Sequence, residues 1–215
     1  FSYDDTQKLL LNNVNLILDA GACVVITSAS GSGKTTLMKI MLGLLKPTSG
    51  RVLLDGQDIT QIGLKHYRKQ VAAVMQDDTL LSGSIGDNIS FFSPQPDQKK
   101  VKQCAKLAAV DSDIMAMTMG YSSLVGDMGA NLSGGQIQRV LLARGLYQSP
   151  CVLFMDEAYT LDPVGDKFKG APVANQLLTL AENERGRISF ILAGYEDEIK
   201  DKMFAFNPGF KSRFT

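Results

Sequence analysis

Histidine is almost missing from this chain: His66 stands alone among 215 residues. A histidine-rich metal centre is therefore excluded, a Ser-His-Asp arrangement would hang on one imidazole, and His66 reads as structural or exposed. Cysteine is scarce too. Cys23, Cys104 and Cys151 are odd in number, widely separated and free of any C-x-x-C pairing. That argues against a disulfide framework or a zinc site and fits a reducing cytoplasm. No apolar run approaches the roughly 18 residues that a membrane span requires, so no part of the chain is expected to insert into a bilayer. The opening Phe1-Ser2-Tyr3-Asp4-Asp5 has neither the basic nor the apolar region of a signal peptide, and the chain reads as an excised domain. Charge of one sign is lacking as well. With 22 Lys+Arg against 22 Asp+Glu the net charge is zero, which argues against wholesale attraction to nucleic acid or an anionic membrane. No repeat, low-complexity tract or Pro/Gly/Ser-rich linker divides the sequence.

What is present is an ordinary globular composition, 45% hydrophobic, long enough for a substantial core. Leu9 to Leu18 alternates loosely and Cys23 to Thr27 is an apolar, β-branched run, both strand signals. From Thr35 to Leu45, Leu37, Ile40, Met41 and Leu44 fall at helical spacing before Lys46-Pro47-Thr48-Ser49-Gly50 stops the helix. Arg51 to Leu54 and the Asp55-Gly56 turn predict an antiparallel hairpin, and Val71 to Met75 a buried strand. From about Gln95 to Tyr121 the sequence turns helical, with Asp97 as N-cap of Gln98 to Ala109. Gly134 to Tyr147 reads as another helix. Cys151 to Met155 is a continuous apolar run of the kind found in central parallel strands, and it ends on Asp156-Glu157. A helix opened by Pro172, a strand from Ile188 to Ala193 and a helix from Glu196 to Phe206 follow. The alternation predicts a three-layer α/β domain with a mostly parallel sheet, N-terminal antiparallel strands and a helical insertion.

Between the first buried strand and its helix lies Ser28-Ala29-Ser30-Gly31-Ser32-Gly33-Lys34-Thr35-Thr36, which matches G-x-x-x-x-G-K-[ST] except at its first position. A strand before it and a helix after it are the context a P-loop requires. Backbone N–H groups around Ser30, Gly31, Ser32 and Gly33 would face phosphate oxygens at the positive end of the helix, and Lys34 would neutralise the β and γ phosphates. Thr35 would offer its hydroxyl to Mg²⁺, with Thr36 beside it. Ser28 departs from the pattern. If its position needs a positive φ, a Cβ there costs about 1 kcal/mol and distorts the cradle.

Asp156-Glu157, at the end of a buried strand, would supply the other half of such a site. Asp156 would organise Mg²⁺ and its waters, and Glu157 would position the attacking water. Phosphoryl transfer needs little beyond placement and charge.

Leu132-Ser133-Gly134-Gly135-Gln136, followed by Gln138-Arg139, resembles the signature motif of the ATP-binding cassette (ABC) ATPases. The P-loop, Asp156-Glu157 and Gln76 at a strand end in the place of that family's Q-loop strengthen the likeness. Phe1-Ser2-Tyr3 resembles its aromatic A-loop, which makes Tyr3 the residue to stack on adenine. The phrases Ser49 to Gly56 and Ser82 to Ile89 resemble peptide and bacteriocin exporters with fused membrane domains. The likeness covers about residues 1–158, with 1–94 and 132–158 as nucleotide-binding core and 95–131 as helical subdomain. It implies a P-loop NTPase fold that binds ATP with Mg²⁺. Tyr3 would meet adenine, Gly31 to Thr36 the phosphates, and Thr35, Gln76 and Asp156 the metal, with Lys34, Gln76 and Glu157 catalytic. It also implies a head-to-tail homodimer in which Ser133 and Gly135 of a second subunit complete the site, and a cytoplasmic domain docked on a transmembrane partner.

Beyond residue 158 the pattern departs. Asp156-Glu157-Ala158-Tyr159-Thr160-Leu161-Asp162 is shorter than the family's D-loop phrase, and no histidine follows the next strand, where that family carries its switch. The phrases Phe154 to Leu161, Ile191 to Tyr195 and Asn207 to Phe214 resemble instead AAA+ ATPases of the sporulation stage V protein K and red-type rubisco activase kind. There the arginine of the last phrase is a finger reaching a neighbour's nucleotide, a role that would fall to Arg213. This second likeness covers about residues 151–215, and 159–215 then read as a AAA+-like C-terminal segment of a single chimeric domain spanning 1–215, more plausibly engineered than natural, with Ile137 and Gly145 as adjustments or tolerated changes. On this reading the chain binds Mg-ATP and hydrolyses it slowly or not at all. The alternatives are a folded scaffold that binds nothing and a working exporter ATPase subunit.

Overall fold

The computed structural model describes residues 1–4, 8–126, 132–157, 173–184, 186–204, 209, 213 and 214, with the side chains of 173–176 and 202–204 left aside. The altered D-loop phrase after Glu157, Pro172 and most of the phrase 207–214 lie outside these residues.

Four parallel strands form the central sheet: β1 (Cys23–Thr27), β8 (Ser189–Gly194), β7 (Val152–Asp156) and β4 (Val71–Val74), in that spatial order. All four are short, rich in Val, Ile, Leu and Phe, and β8 is buried along its whole length, as expected of strands covered on both faces. Alternation along each strand sorts the side chains into two cores. Val71, Phe154, Ile191 and Ala193 pack with Met38 and Leu42 of the α1 region (α1, Lys34–Met41), with Ile59 of α2 (Ile59–Ile62) and with Tyr67 of α3 (Leu64–Tyr67). Ala72, Val74, Leu153, Met155, Phe190 and Leu192 face the opposite layer, α7 (Gly134–Tyr147) and α8 (Val173–Asn183). The three-layer expectation therefore holds.

Gly145 takes its place in that second core. A Cβ built on it would lie 3.4 Å from Leu153 and 3.7 Å from Ala72, so α7 approaches the sheet closely there.

The hairpin of β2 (Leu53–Leu54) and β3 (Gln57–Asp58) turns at Asp55-Gly56, both at positive φ. The predicted strand from Leu9 to Leu18 does not form. Phe1 bridges to it through its carbonyl, which accepts from the N–H groups of Leu10 and Leu11, and through its amino terminus, which donates to the Leu11 carbonyl. No ladder extends further, and Leu9, Val14, Leu16 and Ile17 stay exposed, so no sheet face rewards their alternation.

The helical insertion contains α5 (Gln98–Leu107), capped as predicted by the Asp97 carboxylate, which accepts from the N–H groups of Lys99 and Lys100. α6 (Asp111–Met115) follows, and the Arg139–Asp113 ion pair at 2.6 Å fastens it to α7. A two-residue antiparallel pairing that the sequence did not announce, β5 (Gly83–Ser84) with β6 (Leu124–Val125), ties the segment after α6 back to the chain ahead of the insertion. Between them α4 (Ile85–Ile89) begins with a Ser84–Asp87 capping box. The helix predicted from Glu196 starts as α9 (Glu196–Glu198) and continues as a π-helical stretch, Ile199–Phe204. Among the described residues no helix is long and apolar enough to cross a membrane.

Candidate nucleotide-binding site

The sheet brings the ends of three strands to one edge. β8 lies between β1 and β7, with Thr27 opposite Gly194 and Ala193 opposite Asp156. The P-loop, Asp156-Glu157 and Tyr195 consequently leave neighbouring strands at the same end. Carboxyl ends of parallel strands are where ligands of such sheets bind.

Two glycines shape the loop. Gly31 and Gly33 have φ of 73° and 95°, a region that residues with a Cβ rarely occupy, and Gly31 faces open space. Ser28 does not share that conformation, so the strain feared at this departure does not arise. Its hydroxyl instead closes onto that of Ser32 across the loop. The Lys34 ammonium donates to the carbonyls of Ser28 at 2.9 Å and Ala29 at 3.0 Å. Thr35 donates its hydroxyl proton to the Asp156 carboxylate at 2.7 Å. Thr36 is buried, and its hydroxyl lies 2.9 Å from that of Tyr3, whose ring is otherwise largely exposed and stands edge-on to Phe1. The structure thus joins Tyr3, the P-loop and Asp156.

Asp156 is buried. Glu157 follows with φ of 50°, a left-handed conformation unusual for a residue with a side chain, and its N–H donates to the Asp156 carboxylate. A carboxylate held in a strained backbone at a strand end is the kind of outlier that accompanies function. Gln76 is exposed in the turn beyond β4, on the strand next to β7; Val74 pairs with Met155, so Gln76 emerges at the same edge as Glu157.

Ser133 N-caps α7: its hydroxyl accepts from the Gln136 N–H, while the Gln136 side chain accepts from the Ser133 N–H. The signature phrase is therefore a capping box, with Gly134 exposed at the tip and Gly135 buried behind it. Arg213 is ion-paired with Glu182 of α8 in its own chain.

Sequence reasoning overlooked two features. The first is Tyr195. Its ring lies 4.4 Å from the Lys34 ammonium and its hydroxyl 3.4 Å from that of Ser30. Its place directly after the apolar run 189–194 was the available signal. The second is Asn88, fully buried, which accepts from the Leu81 N–H, donates to the carbonyls of Leu81 and Ser84, and accepts from the Arg144 guanidinium at 2.6 Å. Arg144 also donates to the Thr79 carbonyl, so the segment after Gln76 is bound to α7. Burial of the Arg144 guanidinium lowers its pKa from the usual value, opposed by the charge of Asp78.

The residues present fit a magnesium nucleotide. The loop is open at Gly31, while the side chains of Leu10 and Leu11 stand against Gly33; a lysine is held at the loop by two carbonyl acceptors, and a hydroxyl and a carboxylate are already aligned as a pair of hard oxygen ligands.

The family model described as ABC transporter matches residues 11–160. The colicin V secretion/processing ATP-binding protein of Escherichia coli is 45% identical over 180 residues, 83% of this chain and 26% of that protein. The alpha-hemolysin translocation ATP-binding protein of Escherichia coli is 42% identical over 158 residues, 74% of this chain and 22% of its own. The chain thus spans about a quarter of the length of the curated relatives it matches. Among solved structures, a bacterial Atm1-family ABC exporter with ATP bound superposes with a TM-score of 0.81 at 30% identity, covering 94% of this chain and 34% of that one. A family match over most of the chain, on a fold shared with an exporter's ATPase, places this chain in the ABC transporter family, as a nucleotide-binding domain of the exporter type.

Proposed function

We propose that this chain is the ATP-hydrolysing domain of an exporter, working at the cytoplasmic face of a membrane and docked on a transmembrane partner. The bond from Thr35 to Asp156 carries the reading, because it aligns the P-loop hydroxyl with the acidic strand end in one site. Lys34 would hold the β and γ phosphates, Tyr3 would take the adenine, and Asp156, Thr35 and Gln76 would hold the metal. A bound Mg²⁺ neutralises charge on the phosphate oxygens. Glu157 would take a proton from the water that attacks the γ phosphorus as the bond to the β–γ bridging oxygen breaks and ADP leaves, and Ser133 and Gly135 of a second copy would close over the phosphates from the opposite side. The likeness to secretion and translocation proteins suggests a peptide or protein as cargo.

A working exporter ATPase accounts for the chain better than a AAA+ hybrid with slow hydrolysis. The 180 residues matched to the colicin V protein exceed the 158 covered by the motif likeness, and the exporter superposition takes in 94% of the chain. An engineered junction and a finger role for Arg213 then rest on the phrases after residue 151 alone.

Calorimetric titration with Mg-ATP, beside the Lys34→Ala variant, tests the site. Micromolar binding lost in the variant is expected; equal affinity in both would overturn it. Turnover per chain that rises with protein concentration is the result expected of a paired site, and concentration-independent turnover would argue against pairing.

A further inference from the structure

We infer that Ser28, which stands where the P-loop pattern has glycine, is a positioning residue for the nucleotide: acting through Ser32, its hydroxyl staples the phosphate loop into the shape that binds. The inference deepens the proposed function and rests on that reading of the site. Ser28 opens the loop directly after β1, and Ser32 sits further along it, between the left-handed Gly31 and Gly33. Their hydroxyls are hydrogen-bonded to each other, so the two limbs of the loop are joined side chain to side chain. A glycine at position 28 has no group with which to make that bond.

Two other closures run across the same loop. The Ser32 N–H donates to the Ala29 carbonyl at 3.4 Å, longer than an ordinary amide bond and correspondingly weak, and the Lys34 ammonium donates to the carbonyls of Ser28 and Ala29. The lysine's two bonds belong to the cation that the proposed function assigns to the phosphates, and they are given up when it turns to them. The hydroxyl pair depends on neither closure. A loop already held in one shape loses less conformational entropy when it takes a ligand, so the pair contributes to affinity without touching the nucleotide. It encloses the stretch whose backbone N–H groups serve every phosphate the loop takes, and ATP and ADP gain from it alike.

Ser28→Ala removes the hydroxyl and keeps the Cβ; Ser32 is exposed, so no buried group is left unpaired and the variant should fold as the parent does. Titration calorimetry of the 215-residue chain with ATP and separately with ADP, both with Mg²⁺, should show both nucleotides bound about fivefold more weakly. Ser32→Ala should cost the same, and the double variant should be no weaker than either single one, because hydroxyls that act only through each other are both lost with the first. Ser28→Thr keeps the hydroxyl and should bind as the parent does. Parent-like affinity in Ser28→Ala, losses that multiply in the double variant, a loss confined to ATP, or a Thr variant as weak as the Ala variant would overturn the staple while leaving the site intact. A parent chain that binds neither nucleotide, or binds both as well after Lys34→Ala, would overturn the site itself and this assignment with it.

Discussion

The hydroxyl of Thr35 and the carboxylate of Asp156 meet at 2.7 Å, tying the start of α1 to the end of β7. Each group is an oxygen ligand suited to a hard divalent cation. Asp156→Asn keeps the shape and removes the charge. ATP affinity in a chelating buffer should then match the parent within about threefold, while the gain on adding Mg²⁺ falls about tenfold or more. Paired titrations with and without Mg²⁺ decide it, and an undiminished gain in the variant would remove Asp156 from the metal.

Glu157 combines a left-handed backbone with a carboxylate at the strand end. Glu157→Gln should bind Mg-ATP as the parent does and hydrolyse it about a hundredfold more slowly, as measured by phosphate release. Glu157→Gly should also lose turnover, yet gain about 1 kcal/mol of stability in urea, because glycine adopts positive φ without strain. A glycine variant that is less stable than the parent would show that the side chain holds the fold rather than straining it.

Asn88 connects three parts of the chain at a fully buried point. Asn88→Ala leaves the N–H and carbonyl of Leu81, the Ser84 carbonyl and a guanidinium hydrogen without their partner. Chemical denaturation should reveal a loss of roughly 2 to 3 kcal/mol. Hydrogen exchange should rise first across 79–89, and a uniform rise over the domain would contradict a local role.

Burial pushes the Cys104 thiol up to about 11, with nearby Lys100 pulling weakly the other way. The unfolded chain releases this proton first as the pH rises, so it binds fewer protons than the native state between the unfolded and folded values. Stability should therefore be complete below the ordinary thiol range and fall as the pH climbs from about 9 toward 11. Cys104→Ala should flatten that part of a melting-temperature profile, and an unaltered slope would assign the loss to other groups.

Much of the scaffold was legible because period and punctuation agreed. Cys23–Thr27, the helix Gly134–Tyr147 and the Asp97 cap appear as read, each marked by a short apolar run or a capping residue. Leu9 to Leu18 misled because alternation signals a strand only where a neighbouring strand and a covered face exist, and neither was visible in sequence. The pairing of Gly83–Ser84 with Leu124–Val125 was illegible for a related reason: two residues give no period, and their partners lie far apart in the chain. Of the site, Gly31 to Thr36 and Asp156 carry their chemistry in residue type and spacing. Tyr195 does not, since only strand order places it over Lys34.

That same lysine has a thermodynamic consequence. Its ammonium already rests on two carbonyls and an aromatic face. Nucleotide capture is therefore an exchange of partners rather than the filling of a vacant charge, and the heat released reflects the difference between two well-satisfied arrangements.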